Sequence, residues 1–135
     1  LAVWSGANVS GLDLDDFCRL RGKELHQPAR ERIYREIRDS ANEIIKRKGA
    51  TYYGIAMAVG RIAACIVRDE HAVLPISVAL EGEYGLEGVT MSVPSIVGKN
   101  GLEKILEIPL GKEEREALSR SAGQLREAVD SLKLD

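Results

Sequence analysis

A chain of 135 residues, 44% hydrophobic and 30% charged, fits one ordinary globular domain with a core of modest size. A formal charge of -2 and an aromatic content of 4% supply neither a concentrated basic face nor a stacking platform, which argues against nucleic acid as a partner. No apolar run is long enough to span a bilayer, and no basic-then-apolar leader opens the chain. Cys18 and Cys65 are too few for a disulfide framework; both fall in helical patterns and are expected to be buried free thiols, which suits a reducing cytosol. The chain opens Leu1-Ala2-Val3-Trp4, without an initiator methionine and in mid-pattern, as a fragment would. Removed residues would leave the same start.

In chain order, residues 3–20 carry Leu12, Leu14, Phe17 and Leu20 among aspartates and serines, which predicts one or two short helices with a loop at Gly11. From Pro28, Ile33, Ile37, Ala41, Ile44 and Ile45 recur at helical spacing with charged residues between them. Proline is tolerated in a first helical turn, and Gly49 ends or bends this helix. Residues 50–67 are apolar nearly all round, which predicts a buried central helix. The period then changes to two. Residues Leu74–Leu80, Val89–Val93 and Leu106–Leu110 alternate as three strands, with turns at Gly82, Gly85 and Gly88 and at Asn100-Gly101. Strands joined by turns pair antiparallel, and Pro75 and Pro109 belong at edges or ends. A last helix from about residue 112 presents Leu118, Ala122, Leu125, Val129 and Leu132 as one stripe. The expected fold is α+β: long helices packed on a small antiparallel sheet, closed by a C-terminal helix.

Chemistry is sparse in this pattern. His26 and His71 each stand beside charged residues near a helix end and read as solvated or capping groups. No second histidine stands at metal-ligand spacing and there is no Cys-x-x-Cys, so no metal is expected. There is no phosphate loop and no G-x-G-x-x-G after a strand. Gly54 and Gly60 suit close helix packing. Arg30, Arg32, Arg35 and Arg38 alternate with Glu31, Glu36 and Asp39, the pattern of a solvated, ion-paired face. Glu81, Glu83 and Glu87 surround a glycine-rich turn but lack the dense oxygen spacing of a calcium loop. Thr51 stands at the break between two helices, where a threonine is ordinarily a cap.

Three stretches carry a family likeness. The run IIKRKGATYYGIAMAVGRI at residues 44–62 resembles a helix of the bacterial NAD-dependent L-lactate dehydrogenases. The opening AVWSGANVSG resembles the segment that follows their active-site histidine motif. The stretch VALEGEYGLEGVTMSVPSIVGKNGLEKILEIPL resembles their C-terminal sheet, with its Gly-Glu-Tyr-Gly turn and Asn-Gly hairpin. The likeness is collinear and covers nearly the whole chain. Malate dehydrogenases share the fold, but KGATYYGIA is similar to the lactate branch.

The resemblance implies that residues 1–135 are the C-terminal, substrate-side domain of such an enzyme, a fragment without its N-terminal Rossmann half. The parent activity would be fermentative: hydride exchange between NADH and the carbonyl carbon of pyruvate, giving L-lactate, with a proton from a histidine oriented by an aspartate. Two arginines would clamp the carboxylate and polarise the carbonyl. By the family's motif order these four residues precede Leu1, so no catalytic residue is expected here and the isolated chain should be inactive. NAD would be held mainly by the absent half, and any sugar-phosphate effector site would also be built mostly upstream. Four positions carry over. Thr51 matches the threonine beside substrate and nicotinamide, and Ile55 the apolar residue packed on the nicotinamide. Ser40 and Ala41 match the small pair that limits the size of the 2-oxo acid. Ser40-Ala41-Asn42 departs from the Ala-Ala-aromatic order common among bacterial relatives, and the serine hydroxyl suits a more polar substrate. The resemblance further implies a cytoplasmic homodimer or homotetramer. A related 2-hydroxy acid or malate dehydrogenase domain, or a non-catalytic assembly domain of the same fold, are the alternatives. The reading frame before Leu1 separates them.

Overall fold

The structure is a computed structural model that describes residues 1–23 and 27–132. The chain divides into two compact units: Trp4–Gly60 with Ala2, and Arg61–Asp135 with Leu1 and Val3. The element content is α+β, as expected.

The first unit begins with a two-residue hairpin rather than a helix. Strand β1 (Asn8–Val9) pairs antiparallel with β2 (Leu12–Asp13), Val9 facing Leu12. Ser10 and Gly11 turn the chain with φ of 54° and 84°. Two successive positive φ values make the tight turn whose twist suits a hairpin, and Gly11 takes that conformation without strain. A single short helix, α1 (Leu14–Leu20), follows, with Asp15 and Asp16 in its first turn where the helix dipole favours acids. Helix α2 (Gln27–Lys48) carries the ion pairs its alternating charges predict: Arg32 with Glu36 and Arg35 with Glu31, both at 3.2 Å. Gly49, at φ 81°, ends it.

Helix α3 (Tyr52–Val67) corrects an expectation. Only Cys65 in it is buried; Tyr53 is 73% and Met57 76% exposed. An all-round apolar helix needs cover on every side, and the described residues of this chain do not provide it. The two thiols also differ. Cys65 is buried and donates to the Val97 carbonyl at 3.1 Å, while Cys18 is half-buried.

The second unit closes a core of its own. Strand β3 (Ala72–Glu81) pairs with β4 (Glu87–Gly98), and β4 with β5 (Gly101–Ile105), all antiparallel and in the order β3-β4-β5. Val78 lies opposite Met91 and Leu80 opposite Val89. Every second residue of β4 from Val89 to Val97 is buried, which is the period of two realised as one covered face. Helix α4 (Lys112–Ser131) covers that face with Leu118 and Ala122, while Leu125 and Val129 of its stripe stay exposed. Glu114 accepts a hydrogen bond from the Gly111 N–H at 2.8 Å and so ties down the start of α4.

The third strand lies earlier than the alternation in Leu106–Leu110 predicts. That segment lies outside the three strands. The Leu106 N–H donates to the Pro94 carbonyl at 2.8 Å. The Tyr84 hydroxyl donates to the Leu106 carbonyl at 2.9 Å and accepts the Ile108 N–H at 3.0 Å. Tyr84 reaches there because the turn between β3 and β4 holds it at φ 56° between Gly82 and Gly85. At the second turn it is Gly101, φ 87°, that takes the left-handed conformation. Pro75 stands on the edge strand, as expected, whereas Pro109 falls outside the strands along with the rest of Leu106–Leu110.

Candidate functional site

The four expected pocket residues all belong to the first unit. Ser40 and Ala41 lie on α2, both exposed. The Ser40 hydroxyl donates back to the Ile37 carbonyl at 2.7 Å, the usual recourse of a serine within a helix. It follows directly on an Arg38–Asp39 ion pair of 2.8 Å. That contact holds the Asp39 carboxyl below the usual carboxylate range and raises the Arg38 guanidinium, chiefly through their shared hydrogen bond.

Thr51 is half-buried in the break after α2, at the residue before α3 begins. Among the described residues no hydrogen bond to its side chain occurs, so the hydroxyl is not consumed in capping there. Ile55, one turn into α3, is 62% exposed. Ser40 lines a cleft of about 680 Å³ with charged residues of α2 that include Arg35, Glu43 and Lys48; Ala41, Thr51 and Ile55 do not line it. The break thus carries a hydroxyl and, one turn on, an exposed apolar side chain. His26 lies outside the described residues.

The second unit contains an apolar cavity of about 450 Å³ between the sheet and α4, lined by Met91, Val93, Leu118 and others with serine and threonine hydroxyls. Among the described residues no charged side chain lines it, so they offer packing space there and no acid–base group.

A different polar cluster was invisible in the pattern. His71, expected to be a plain solvated or capping group, stands between two carboxylates. Its Nδ1 is 2.6 Å from Glu103 Oε2 and its Nε2 3.2 Å from Asp69 Oδ1. Asp69 also accepts the Lys99 N–H at 2.9 Å, which is the main reason its carboxyl is held below its ordinary range. No local spacing signals this group, because Glu103 arrives from β5, 32 residues beyond His71.

Comparison with known proteins gives the fold its relatives. The family model for the alpha/beta C-terminal domain of lactate/malate dehydrogenases matches residues 1–134. The chain is 43% identical to L-lactate dehydrogenase 1 of Clostridium acetobutylicum over 132 residues, which is 98% of this chain and 42% of that protein. Among solved structures it is similar to the ligand-bound minor L-lactate dehydrogenase of Enterococcus mundtii, with a TM-score of 0.91 and 35% identity, over 100% of this chain and 43% of that one. The malate dehydrogenase of Aeropyrum pernix is more distant, with a TM-score of 0.85 and 25% identity over 97% of this chain and 42% of that one. The chain therefore spans about two fifths of the length of the relatives it matches. With its helices, three-stranded sheet and closing helix all in the matched order, the chain belongs to the lactate/malate dehydrogenase family, within that family's alpha/beta C-terminal domain.

Proposed function

We propose that this chain is the substrate-side domain of an NAD-dependent L-lactate dehydrogenase, joined in the working enzyme to a cofactor-binding half that precedes Leu1. The observation that carries the reading is the identity gradient. Identity is 35% to the lactate dehydrogenase and 25% to the malate dehydrogenase, although the backbone matches both. NAD, when bound, supplies or takes up the hydride. Exposed Ile55 and half-buried Thr51 fit a nicotinamide wall, since such a ring seeks apolar surface with a few polar groups beside it.

In this reading Ile55 keeps water from one face of the ring. The Thr51 hydroxyl, uncommitted among the described residues, orients the 2-oxo acid. Ser40 and Ala41 limit the length of its side chain, and the serine admits some polarity there. Proton transfer and carboxylate binding fall to the other half, so the chain alone binds weakly and does not turn over. The exposed apolar helix surface also suits assembly as a dimer or tetramer. In this reading the enzyme is cytoplasmic. No helix among the described residues is long and apolar enough to cross a membrane.

The test is the reading frame upstream of Leu1 and the activity of its product. A glycine fingerprint, an active-site histidine and the highest kcat/KM for pyruvate are the expected result. Preference for oxaloacetate would make it a malate dehydrogenase. A frame without the fingerprint would leave a non-catalytic assembly domain.

A further inference from the structure

We infer that the apolar cavity of the second unit is a strand-docking groove whose occupant is the segment of the parent chain directly before Leu1, an assignment that rests on the reading that a further half precedes Leu1. The cavity, of about 450 Å³, is lined by residues 90–94 of β4. One flank of β4 is open there. Strand β3 pairs with β4 from Val89 to Val97, whereas β5 pairs with it only from Ser95 to Gly98. Among the described residues no strand lies beside residues 89–94 on the β5 side.

The backbone of that flank is unpaired. Along an antiparallel strand the N–H and C=O of one residue point to the same side, and successive residues alternate sides. The Pro94 carbonyl accepts the Leu106 N–H at 2.8 Å, so Pro94 points away from β3. Its partner across the ladder is Pro75, as suits a position where neither residue donates. The register with β3 runs without a shift from Pro94 to Val89, so Ser92 and Thr90 point the same way, opposite Ser77 and Ala79. Among the described residues their N–H and C=O groups on that side have no partner. A row of such groups is a template for another strand. The side chains suit an uncharged one. Leu118 and Leu125 of α4 form an apolar wall, and the Thr90, Ser92 and Ser121 hydroxyls have no hydrogen bond among the described residues. An added strand would set apolar side chains beside Met91 and Val93 and small polar ones beside Thr90 and Ser92, in alternation.

Leu1 and Val3 point to the occupant. Both line the cavity and belong to the second unit, although the chain from Trp4 to Gly60 belongs to the first. Residues joined to Leu1 therefore start within reach of the open flank. Pairing with Thr90 and Ser92 takes about three residues, roughly 10 Å of strand. A tethered segment is present at an effective concentration on the order of millimolar, which a free peptide or a second copy would have to exceed.

Hydrogen exchange of backbone amides, read by mass spectrometry with residue-level fragmentation, compares this chain with the full product of its reading frame. The Thr90 and Ser92 amides should exchange freely in this chain and about tenfold slower or more in the full product. Ser92→Pro removes one donor and spares the β3 ladder, because Ser77 and Ser92 face each other without bonding. It should leave the melting temperature of this chain unchanged and lower that of the full product by about 2 °C or more. In the full product, Thr90→Cys combined in turn with a cysteine at each of about five positions before Leu1 should form a disulfide at one or two of them, those within bridging distance. This readout and the exchange rates decide the matter even if Ser92→Pro unfolds. Equal exchange in both proteins, protection of Ser77 and Ala79 in place of Thr90 and Ser92, or no disulfide at any position would overturn the assignment. So would protection in this chain alone that grows with its concentration, since a second copy would then be the occupant. Unprotected Thr90 and Ser92 in a product that reduces pyruvate would sink the groove and keep the enzyme reading; protected amides in a product without that activity would do the reverse.

Discussion

The two units of this chain treat apolar surface in opposite ways. In Arg61–Asp135 the inner face of β3 and β4 meets Leu118 and Ala122 of α4, and Leu80 is left 1% exposed. In Trp4–Gly60 the helices α2 and α3 present Ile37, Ile55 and Met57 with 62–76% of their surface open. Both sequences are rich in apolar residues, so composition does not separate them. The difference lies in whether the chain supplies its own cover. A self-covered unit holds its apolar contacts as stability; an uncovered one holds them available for a ligand, a second copy or a further domain.

The largest effect should come from breaking the covered side. Leu80→Ala removes a fully buried side chain between Val78, Val89 and α4 and should lower unfolding free energy by about 2–5 kcal/mol in urea titrations. Ile55→Ala should change it by no more than about 0.5 kcal/mol, as at an exposed position. Equal losses would erase the contrast between the units.

Under the proposed function, substitutions on the open side should act on chemistry in the full-length enzyme. Ser40→Gly with Ala41→Gly should raise kcat/KM for longer 2-oxo acids relative to pyruvate by about tenfold or more, since one methylene is worth roughly 1–3 kcal/mol in such a pocket. Glycine within α2 also costs about 1 kcal/mol per site in helix stability. The ratio of substrates, which that loss does not alter, is therefore the readout. Thr51→Gly should lower kcat/KM on pyruvate by about tenfold, or roughly 1.4 kcal/mol, with an unchanged melting temperature. A lower melting temperature with intact efficiency in the folded fraction would make Thr51 a structural cap.

The smallest effect is at the turn between β3 and β4. Glu83 accepts the Glu81 N–H at 2.8 Å, and backbone hydrogen bonds of this kind hold its carboxyl below the ordinary 4.5. A depressed folded value means the contribution is fully present above about pH 4.5 and is lost as pH falls through the lowered value. Wild type should therefore exceed Glu83→Gln in urea midpoint at neutral pH, and the gap should close in acid. A gap that persists unchanged in acid would remove the charge from the explanation.

The sequence determined the element types wherever apolar period was long. Ile33 through Ile45 set α2, the alternation of Leu74–Leu80 and Val89–Val93 set two strands, and Gly49, Gly82 and Gly101 marked their ends. Those signals are local, because backbone sterics and one-sided burial act over a few residues. The resemblance also rested on contiguous runs, so the family was legible before any coordinates.

Three matters were decided only by tertiary structure. Leu106–Leu110 alternates like a strand, but its polar groups bond to Tyr84 and Pro94, so the third strand is Gly101–Ile105. The apolar run 50–67 reads as buried because sequence records the need for cover, whereas its provision depends on other surfaces. His71 reads as an ordinary surface histidine until β5 brings Glu103 to within 2.6 Å of it. In each case the deciding partner is distant in sequence, and the geometry of a hydrogen bond or an ion pair is set by where the folded backbone carries that partner, which local pattern does not encode.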